Sequence, residues 1–116
     1  MKFSIIIPAR NEAANIGRCL DSIADAAKAY PGQVEVIVVI NRCTDGTEAI
    51  ALGHGAIIAR DNSKNLSKIR NAGAEEATGE ILMTIDADSW MSANMIETID
   101  RKLSTGKFIG GGVPLP

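Results

Sequence analysis

The sequence predicts an α/β domain, a three-layer α/β/α arrangement with a mostly parallel sheet. Short apolar runs of strand length alternate with stretches in which apolar residues recur at helical spacing. Hydrophobic residues make up 46% of the chain and charged residues 22%, so the chain can bury a core and disorder is not expected. Only 3% of the residues are aromatic, and a core of isoleucine, alanine, valine and leucine suits helices packed on parallel strands.

The first strand and helix follow from the first 32 residues. Phe3 to Ile7 is a continuous apolar run ended by Pro8, which predicts a fully buried strand. Asn11, in the polar loop that follows, is a candidate N-cap of the next helix. Apolar residues at helical spacing predict a helix from about Ala13 to Ala29, stopped by Pro31-Gly32.

The middle of the chain predicts two further strands. Val34 to Ile40 is a second buried strand, followed by the polar loop from Asn41 to Thr47. A short helix then runs from Glu48 to Leu52, and Ala56 to Ala59 forms a third strand near a sheet edge.

The last third of the chain repeats the alternation. Lys68 to Ala77 is a predicted helix stopped by Gly79, and the apolar run from Ile81 to Ile85 is the fourth strand. A final helix is expected from about Ala93 to Leu103, and Lys107 to Gly110 starts a possible fifth strand.

This order implies parallel strands joined by right-handed crossovers, a Rossmann-like arrangement with the first strand inside the sheet. Ligands of such sheets bind at the carboxyl ends of the strands, where the strand order reverses. Polar residues follow three of the strands at that edge: Arg10-Asn11-Glu12, Asn41 to Asp45, and Asp86 with Asp88. Three polar loops on one edge predict a binding site there.

Asp86 and Asp88 end the fourth apolar run one residue apart. If strand geometry persists to that point, both carboxylates face the same way and repel each other. A hard divalent cation with a phosphate-bearing ligand would relieve that repulsion. The alternative is structural: one aspartate starts a turn, and the other caps the helix that begins near Ser92. The stretch alone leaves both interpretations open.

Several function classes do not fit the sequence. The formal charge is −2, without a basic excess, so nucleic acid is not an expected partner. The loop after the first strand lacks the dinucleotide fingerprint, and no phosphate-binding P-loop occurs. A metal-dependent phosphoacceptor domain is a third-ranked alternative, because the first strand ends without an acidic pair. Cys19 and Cys43 match no metal-ligand spacing, which indicates reduced thiols in a cytosolic protein.

The segment Arg70-Asn71-Ala72-Gly73 has two interpretations. In the structural one, Gly73 lets its helix approach the sheet and Arg70 is a solvated cation. In the functional one, Arg70 holds a diphosphate at the strand ends. The residues by themselves favour the structural interpretation.

Together these motifs resemble the donor half of a family 2 glycosyltransferase, the GT-A fold of nucleotide-sugar transferases. Four blocks match in order and cover almost the whole chain: Ser4 to Glu12; Glu35 to Val39 running on to Thr44-Asp45-Gly46-Thr47; Ile69 to Gly73 with Ala77 to Glu80; and Asp86-Ala87-Asp88. Each block is weak alone, but their order and spacing are specific together.

The resemblance implies a metal-assisted transfer of sugar from a nucleotide-diphosphate sugar to an acceptor hydroxyl. Pro8, Ala9 and Glu12 would line the nucleoside pocket, with Glu12 near the ribose. The loop from Asn41 to Asp45 would read the base.

The resemblance also assigns the phosphate and metal side of the site. Arg70 would approach the donor phosphates, and Asp86 with Asp88 would form the DXD motif that binds Mg²⁺ or Mn²⁺. Asp88 is the stronger candidate metal ligand, and Asp86 would bind ribose or metal.

Two departures from the family pattern limit what the resemblance implies. The family usually has aspartate at the position of Asn41, often within an Asp-Asp-Gly-Ser run, where this chain has Ile40-Asn41-Arg42-Cys43. An amide both donates and accepts hydrogen bonds, so base binding with altered preference is expected, and uridine is not assumed. The second departure is that no acceptor half follows the DXD region, and the general base is therefore unknown.

We therefore expect residues 1–116 to form a single, truncated donor-binding domain that lacks the C-terminal acceptor half. The alternative is a catalytically incomplete nucleotide-sugar-binding module that self-associates through an exposed sheet edge. The acceptor is unknown. The expected location is cytoplasmic, with a possible site at the inner face of the membrane through missing segments or partners.

Overall fold

A four-stranded parallel sheet forms the centre of the computed structural model, which describes residues 2–104. The strands lie in the order β3-β2-β1-β4, and their bounds are β1 Lys2–Ala9, β2 Gln33–Ile40, β3 Ile57–Arg60 and β4 Ile81–Thr84. Every pairing is parallel, with Ile5 of β1 opposite Val36 of β2 and Met83 of β4. The interior position of β1 and the edge position of β3 confirm the topology predicted from the sequence.

Four helices connect and follow the strands: α1 Ile16–Lys28, α2 Thr47–Gly53, α3 Leu66–Glu76 and α4 Met95–Ser104. The largest shift from the sequence prediction is at the start of α1, which begins at Ile16 rather than Ala13. Asn11 is not its cap, because the Asn11 side chain accepts a hydrogen bond from the Thr44 amide instead. The predicted fifth strand, from Lys107 to Gly110, lies outside the described residues.

The helices cover both faces of the sheet, as a three-layer fold requires. Alternate residues of a strand point to opposite faces. Ile5 and Ile7 of β1 therefore pack in the core formed with α1, α2 and α4. Ile6 points to the other face, where it packs with Ile69 of α3.

Helix α3 lies unusually close to the sheet at Gly73. A Cβ added to Gly73 would lie 2.5 Å from Cγ2 of Ile6 and 2.9 Å from Cγ2 of Val39. Such distances are far below van der Waals contact, so only glycine fits between α3 and the sheet. The structural interpretation of Gly73 is confirmed.

Strand β1 continues two residues beyond Ile7, through Pro8, where the sequence predicted it to end. The carbonyl of Ile6 accepts from Ile85 on the β4 side, and the carbonyl of Ala9 accepts from Asn41 on the β2 side. Pro8 therefore faces the β4 side, beyond Ile85, where β4 has already ended. Because no ladder bond is available there, the missing amide hydrogen of proline costs nothing.

A hydrogen-bonded carboxylate holds the opposite, amino edge of the sheet. Glu35 accepts hydrogen bonds from the Ser4 hydroxyl and from the amide and hydroxyl of Thr78, and pairs with Lys2 at 3.5 Å. Burial by itself would raise the pKa of Glu35, but these hydrogen bonds and Lys2 outweigh it and lower the pKa to about 2. The group links β1, β2 and the turn before β4.

Both cysteines are free thiols, and Cys19 is buried on α1. Within residues 2–104, no helix has the length and apolar character needed to cross a membrane.

Candidate functional site

The loops that follow β1 and β2 are hydrogen-bonded to each other at the carboxyl edge of the sheet. Asn11 Oδ1 accepts from the Thr44 amide at 2.7 Å, and the Glu12 amide donates to Thr47 Oγ1 at 2.9 Å. The Ala13 amide donates to Asp45 Oδ2 at 3.1 Å. These bonds fix the two loops in one arrangement before any ligand binds.

Asp45, a predicted donor-binding residue, has both carboxylate oxygens engaged within this arrangement. Its Oδ1 accepts from the amide and hydroxyl of Thr47, while Oδ2 accepts from Ala13. The Thr47 hydroxyl is the main cause that holds the pKa of Asp45 below its usual value. Asp45 is therefore an ionised anchor between the starts of α1 and α2.

Asn41, also predicted to bind the donor, is buried and joins the loop after β2 to the loop after β3. Its side-chain amide donates to the carbonyls of Asp61 and Ser63, the latter at 2.8 Å. Its Oδ1 accepts from Arg42 Nε at 3.2 Å. A carboxylate at this position has no hydrogen to donate, so the departure from the family pattern has a structural role here.

Two residues of these loops, Asn11 and Arg42, adopt left-handed backbone conformations, with φ of 52° and 51°. Asparagine adopts this region readily, whereas arginine does so at a cost of roughly 1–2 kcal/mol. Sequence reasoning missed both. The asparagine was a detectable signal, but nothing in the residue type of Arg42 indicated its conformation.

The predicted residues of the nucleoside pocket lie at the end of β1 and the start of the next loop. Pro8 is half-buried and Ala9 is buried. The Ala9 carbonyl accepts hydrogen bonds from the backbone amide of Asn41 and from the Cys43 thiol. The Glu12 carbonyl accepts from the amides of Asn15 and Ile16 as α1 begins.

Asp86 and Asp88 lie in a turn, which corrects the expectation that strand geometry aligns their carboxylates. Strand β4 ends at Thr84, and the Ser89 amide donates to the Asp86 carbonyl at 3.0 Å. Asp88 does not cap α4, which begins only at Met95. Both aspartates are exposed, and neither carboxylate has a hydrogen bond or ion pair within residues 2–104.

Helix α1 holds this aspartate turn, the segment 86–91. Cys19 Sγ lies 3.7 Å from the Asp86 carbonyl, and Ser22 Oγ accepts from the Met91 amide at 2.8 Å. The Arg18 guanidinium lies over the Trp90 ring, 4.0 Å from its centroid. The turn is fixed by the same helix that follows the loop containing Glu12. Sequence reasoning did not identify these contacts, which depend on tertiary packing.

Three of the predicted site residues share one electrostatic environment around Cys19. Burial, followed by the negative charges of Asp88, Asp86 and Glu12, raises the pKa of the Cys19 thiol from 9.0 to about 11. Glu12 and Asp86 are over 70 positions apart in the sequence. The fold nevertheless brings the acidic residues of the loops after β1 and β4 near the same thiol.

Arg70 is exposed on α3, in the helix layer on the other face of the sheet. Among the described residues it forms no hydrogen bond or ion pair, and in particular none with the other predicted site residues. Its predicted contact with donor phosphates stays a prediction.

The comparison with known sequences decides the family. Residues 4–114 match the family described as Glycosyl transferase family 2. The chain belongs to glycosyltransferase family 2. The expectation drawn from the four ordered blocks is confirmed.

Two glycosyltransferases that are similar to this chain extend well beyond it. Glycosyltransferase AglE of Haloferax volcanii is 37% identical over 92 residues, which are 73% of this chain and 30% of AglE. The PGL/p-HBAD biosynthesis glycosyltransferase of Mycobacterium bovis is 40% identical over 92 residues, 74% of this chain and 35% of that protein. The chain thus spans about a third of the length of these relatives.

Solved structures of GT-A glycosyltransferases share the fold. S. aureus TarS 1–349 in complex with UDP-GlcNAc has a TM-score of 0.81 and 27% identity, covering 90% of this chain and 32% of that one. Glucosyl-3-phosphoglycerate synthase from Mycobacterium tuberculosis, in complex with Mn²⁺, UDP and glucosyl-3-phosphoglycerate, has a TM-score of 0.73 and 25% identity. The match covers 88% of this chain and 39% of the synthase. The predicted GT-A type, Rossmann-like fold class is confirmed.

Asp86 and Asp88 would suit a divalent cation that takes most of its ligands from a substrate and from water. The described residues contain no group of three or more histidine, cysteine, aspartate or glutamate side chains able to hold a metal. The two exposed carboxylates of Asp86 and Asp88 instead leave most of a coordination sphere to other ligands. Mg²⁺ and Mn²⁺ sites of that kind are completed by substrate phosphates and water.

Proposed function

We propose that this chain is the donor-binding part of a glycosyltransferase that moves a sugar from a nucleotide-diphosphate sugar to an acceptor hydroxyl, assisted by Mg²⁺ or Mn²⁺. The observation that carries the proposal is the aspartate turn: two carboxylates without partners among the described residues, held by α1 beside the joined loops after β1 and β2. The reversal of strand order between β1 and β4 supports the proposal, because α/β sheets bind ligands in the crevice at such a point.

In this proposal the nucleoside lies along the ends of β1 and β2. Pro8, Ala9 and Glu12 line its pocket, with Glu12 near the ribose, and the loop 41–45 reads the base. Because Asp45 and Asn41 already bind protein groups, they act chiefly by fixing the shape of that loop.

The phosphates lie between the aspartate turn and Arg70. Asp88 is the first ligand of the cation, and Asp86 binds the cation or the ribose. The bound cation supplies charge stabilisation to the departing nucleoside diphosphate. The chain's own contribution is to hold Asp86 and Asp88 in place through α1, so that the ligand geometry does not have to form on binding.

Calorimetry tests this proposal. Titration of a nucleoside diphosphate in Mn²⁺ is expected to give saturable binding that weakens at least tenfold when Asp88 is replaced by alanine. Asp25→Ala is the matched control, because Asp25 is exposed on α1 and outside the site. Binding that is independent of metal and unchanged in Asp88→Ala would contradict the metal assignment.

A non-catalytic, self-associating module is the second candidate. Within residues 2–104 the outer edge of β4 has no strand partner, and Leu82 is 41% exposed on that strand. Such an edge is prone to pair with a second copy. Sedimentation velocity is expected to show dimers that Leu82→Lys dissociates; a monomer at all concentrations removes this candidate. Donor hydrolysis above a metal-only control would instead favour the enzyme.

The proposed location is the cytoplasm, with possible attachment to the inner face of the membrane through other segments or partners. Its support is the pair of free thiols, which suits a reducing compartment. Cell fractionation with an antibody against the chain tests it, and secretion of the protein would contradict it.

A further inference from the structure

We propose that Arg42 reads the nucleobase of the donor and favours a base with two adjacent hydrogen-bond acceptors over uracil. This rests on the proposed function, which sets the nucleoside against the loop 41–45. It goes further by assigning a residue and a base chemistry to that loop.

The guanidinium of Arg42 is held by one hydrogen bond, and most of its donors have no partner among the described residues. Its Nε donates to Asn41 Oδ1 at 3.2 Å, and Asn41 is itself held by two carbonyls of the next loop. Within residues 2–104, Arg42 forms no other hydrogen bond and no ion pair. Its two terminal nitrogens therefore present a fork of donors. The side chain is half-buried, and its Nε is held by Asn41.

The other polar side chains of the loop are already hydrogen-bonded to the protein. Asn41 Oδ1 accepts from Arg42, and both oxygens of Asp45 accept from Ala13 and Thr47. The Cys43 thiol donates to the Ala9 carbonyl and accepts from the Asn11 amide, and the Thr44 hydroxyl donates to Asn11. The Arg42 guanidinium is therefore the side chain of this loop that keeps several donors without a protein partner among the described residues.

The backbone conformation of Arg42 is unfavourable for an arginine. Its φ of 51° lies in the left-handed region, where glycine has no steric penalty. An arginine in a conformation that suits glycine indicates a use for the side chain.

The donors of the Arg42 guanidinium decide which nucleobases it can bind. A guanidinium fork binds two neighbouring acceptors, such as O6 and N7 of guanine or O2 and N3 of cytosine. Uracil carries an N3–H donor between its two carbonyls, so it does not offer the fork two adjacent acceptors. The shared property is a pair of adjacent acceptors, and separate titrations with GDP and CDP distinguish the two sources.

Calorimetry of the 116-residue chain in Mn²⁺ with GDP, CDP and UDP tests the inference. A lost bidentate contact changes discrimination by roughly 5- to 150-fold. We expect GDP or CDP to bind at least fivefold more tightly than UDP. In Arg42→Lys, which keeps the charge and loses the fork, that ratio should fall below twofold while UDP affinity changes less than twofold.

Arg42→Gly separates the side chain from the fold. It removes the fork and relieves the left-handed strain, so the base preference should disappear while the unfolding temperature stays equal or rises. Arg101→Lys, on the exposed end of α4, should change neither quantity.

Three results would overturn the inference while the proposed function stands: tightest binding of UDP, equal affinity for all three nucleotides, or an equal loss for all three in both Arg42 variants, which indicates a phosphate contact. Binding of none of the three nucleotides would remove the proposed function, and this inference with it.

Discussion

The thiol of Cys19 lies 3.7 Å from the carbonyl oxygen of Asp86, so that helix α1 contacts the backbone of the aspartate turn directly. One helical turn further on, Ser22 accepts a hydrogen bond from the Met91 amide at the end of the same turn. The helix that follows the nucleoside-side loop therefore also fixes both ends of the segment proposed to bind the cation.

Ser22→Ala should loosen this segment. The substitution removes the acceptor of the Met91 amide, and Met91 is buried, so its amide loses its hydrogen bond. We expect a loss of about 1–2 kcal/mol in the free energy of unfolding by urea, together with weaker Mn²⁺-dependent nucleotide binding. Ser67→Ala, at an exposed position of α3, is the control and should leave both unchanged. Full stability in Ser22→Ala would show that the turn does not depend on this contact.

Gly73→Ala should destabilise the fold by about 1–3 kcal/mol, in spite of the higher helix propensity of alanine. The added methyl group would overlap Cγ2 atoms of Ile6 and Val39, which are branched next to the backbone and cannot swing away. Gly53→Ala, in helix α2, has nothing within 4 Å of its new methyl group. Chemical denaturation of the two variants should give opposite changes, and equal changes would refute the close approach of α3.

The periodicity of apolar residues was sufficient to predict the eight elements and their order, because burial on a parallel sheet decides both. It failed at boundaries where side chains compete with the backbone. Asn11 was expected to cap α1, but its carboxamide is used by Thr44, a contact between residues 33 positions apart. No local pattern contains that information.

The candidate site was predicted at the level of loops but not of individual contacts. The acidic pair was found because carboxylates after an apolar strand are unusual, yet the turn that orients Asp86 and Asp88 depends on α1. Asn41 and Asp45 stood out as polar residues at a strand end. That their polar groups bind the protein itself becomes visible only when the loops are assembled.

Glu35→Gln should lower stability at neutral pH and have little effect near pH 2. The folded-state pKa of Glu35, about 2, lies below its ordinary value of 4.5. A lowered pKa contributes stability above the ordinary value, and that contribution is lost as the pH falls from 4.5 towards 2. We expect a difference on the order of 2 kcal/mol at pH 7 between wild type and variant.

Urea unfolding between pH 2 and pH 7 measures the Glu35 contribution. Glu75→Gln is the matched control, since Glu75 is exposed on α3 and forms no hydrogen bond or ion pair among the described residues. It should change the free energy of unfolding by less than about 0.5 kcal/mol. A Glu35→Gln difference that stays constant with pH would contradict the role assigned to the ionised carboxylate.

Asn41→Asp introduces the residue that the family usually carries, and it should destabilise this chain. Aspartate cannot donate to the carbonyls of Asp61 and Ser63, and its charge would be buried beside them. The loss should be about 1–3 kcal/mol, moderated by attraction to Arg42. Asn62→Asp, an exposed change in the neighbouring loop, is the control for added charge. Wild-type stability in Asn41→Asp would mean that the link between the second and third loops is dispensable, and that the asparagine is present for the ligand rather than for the fold.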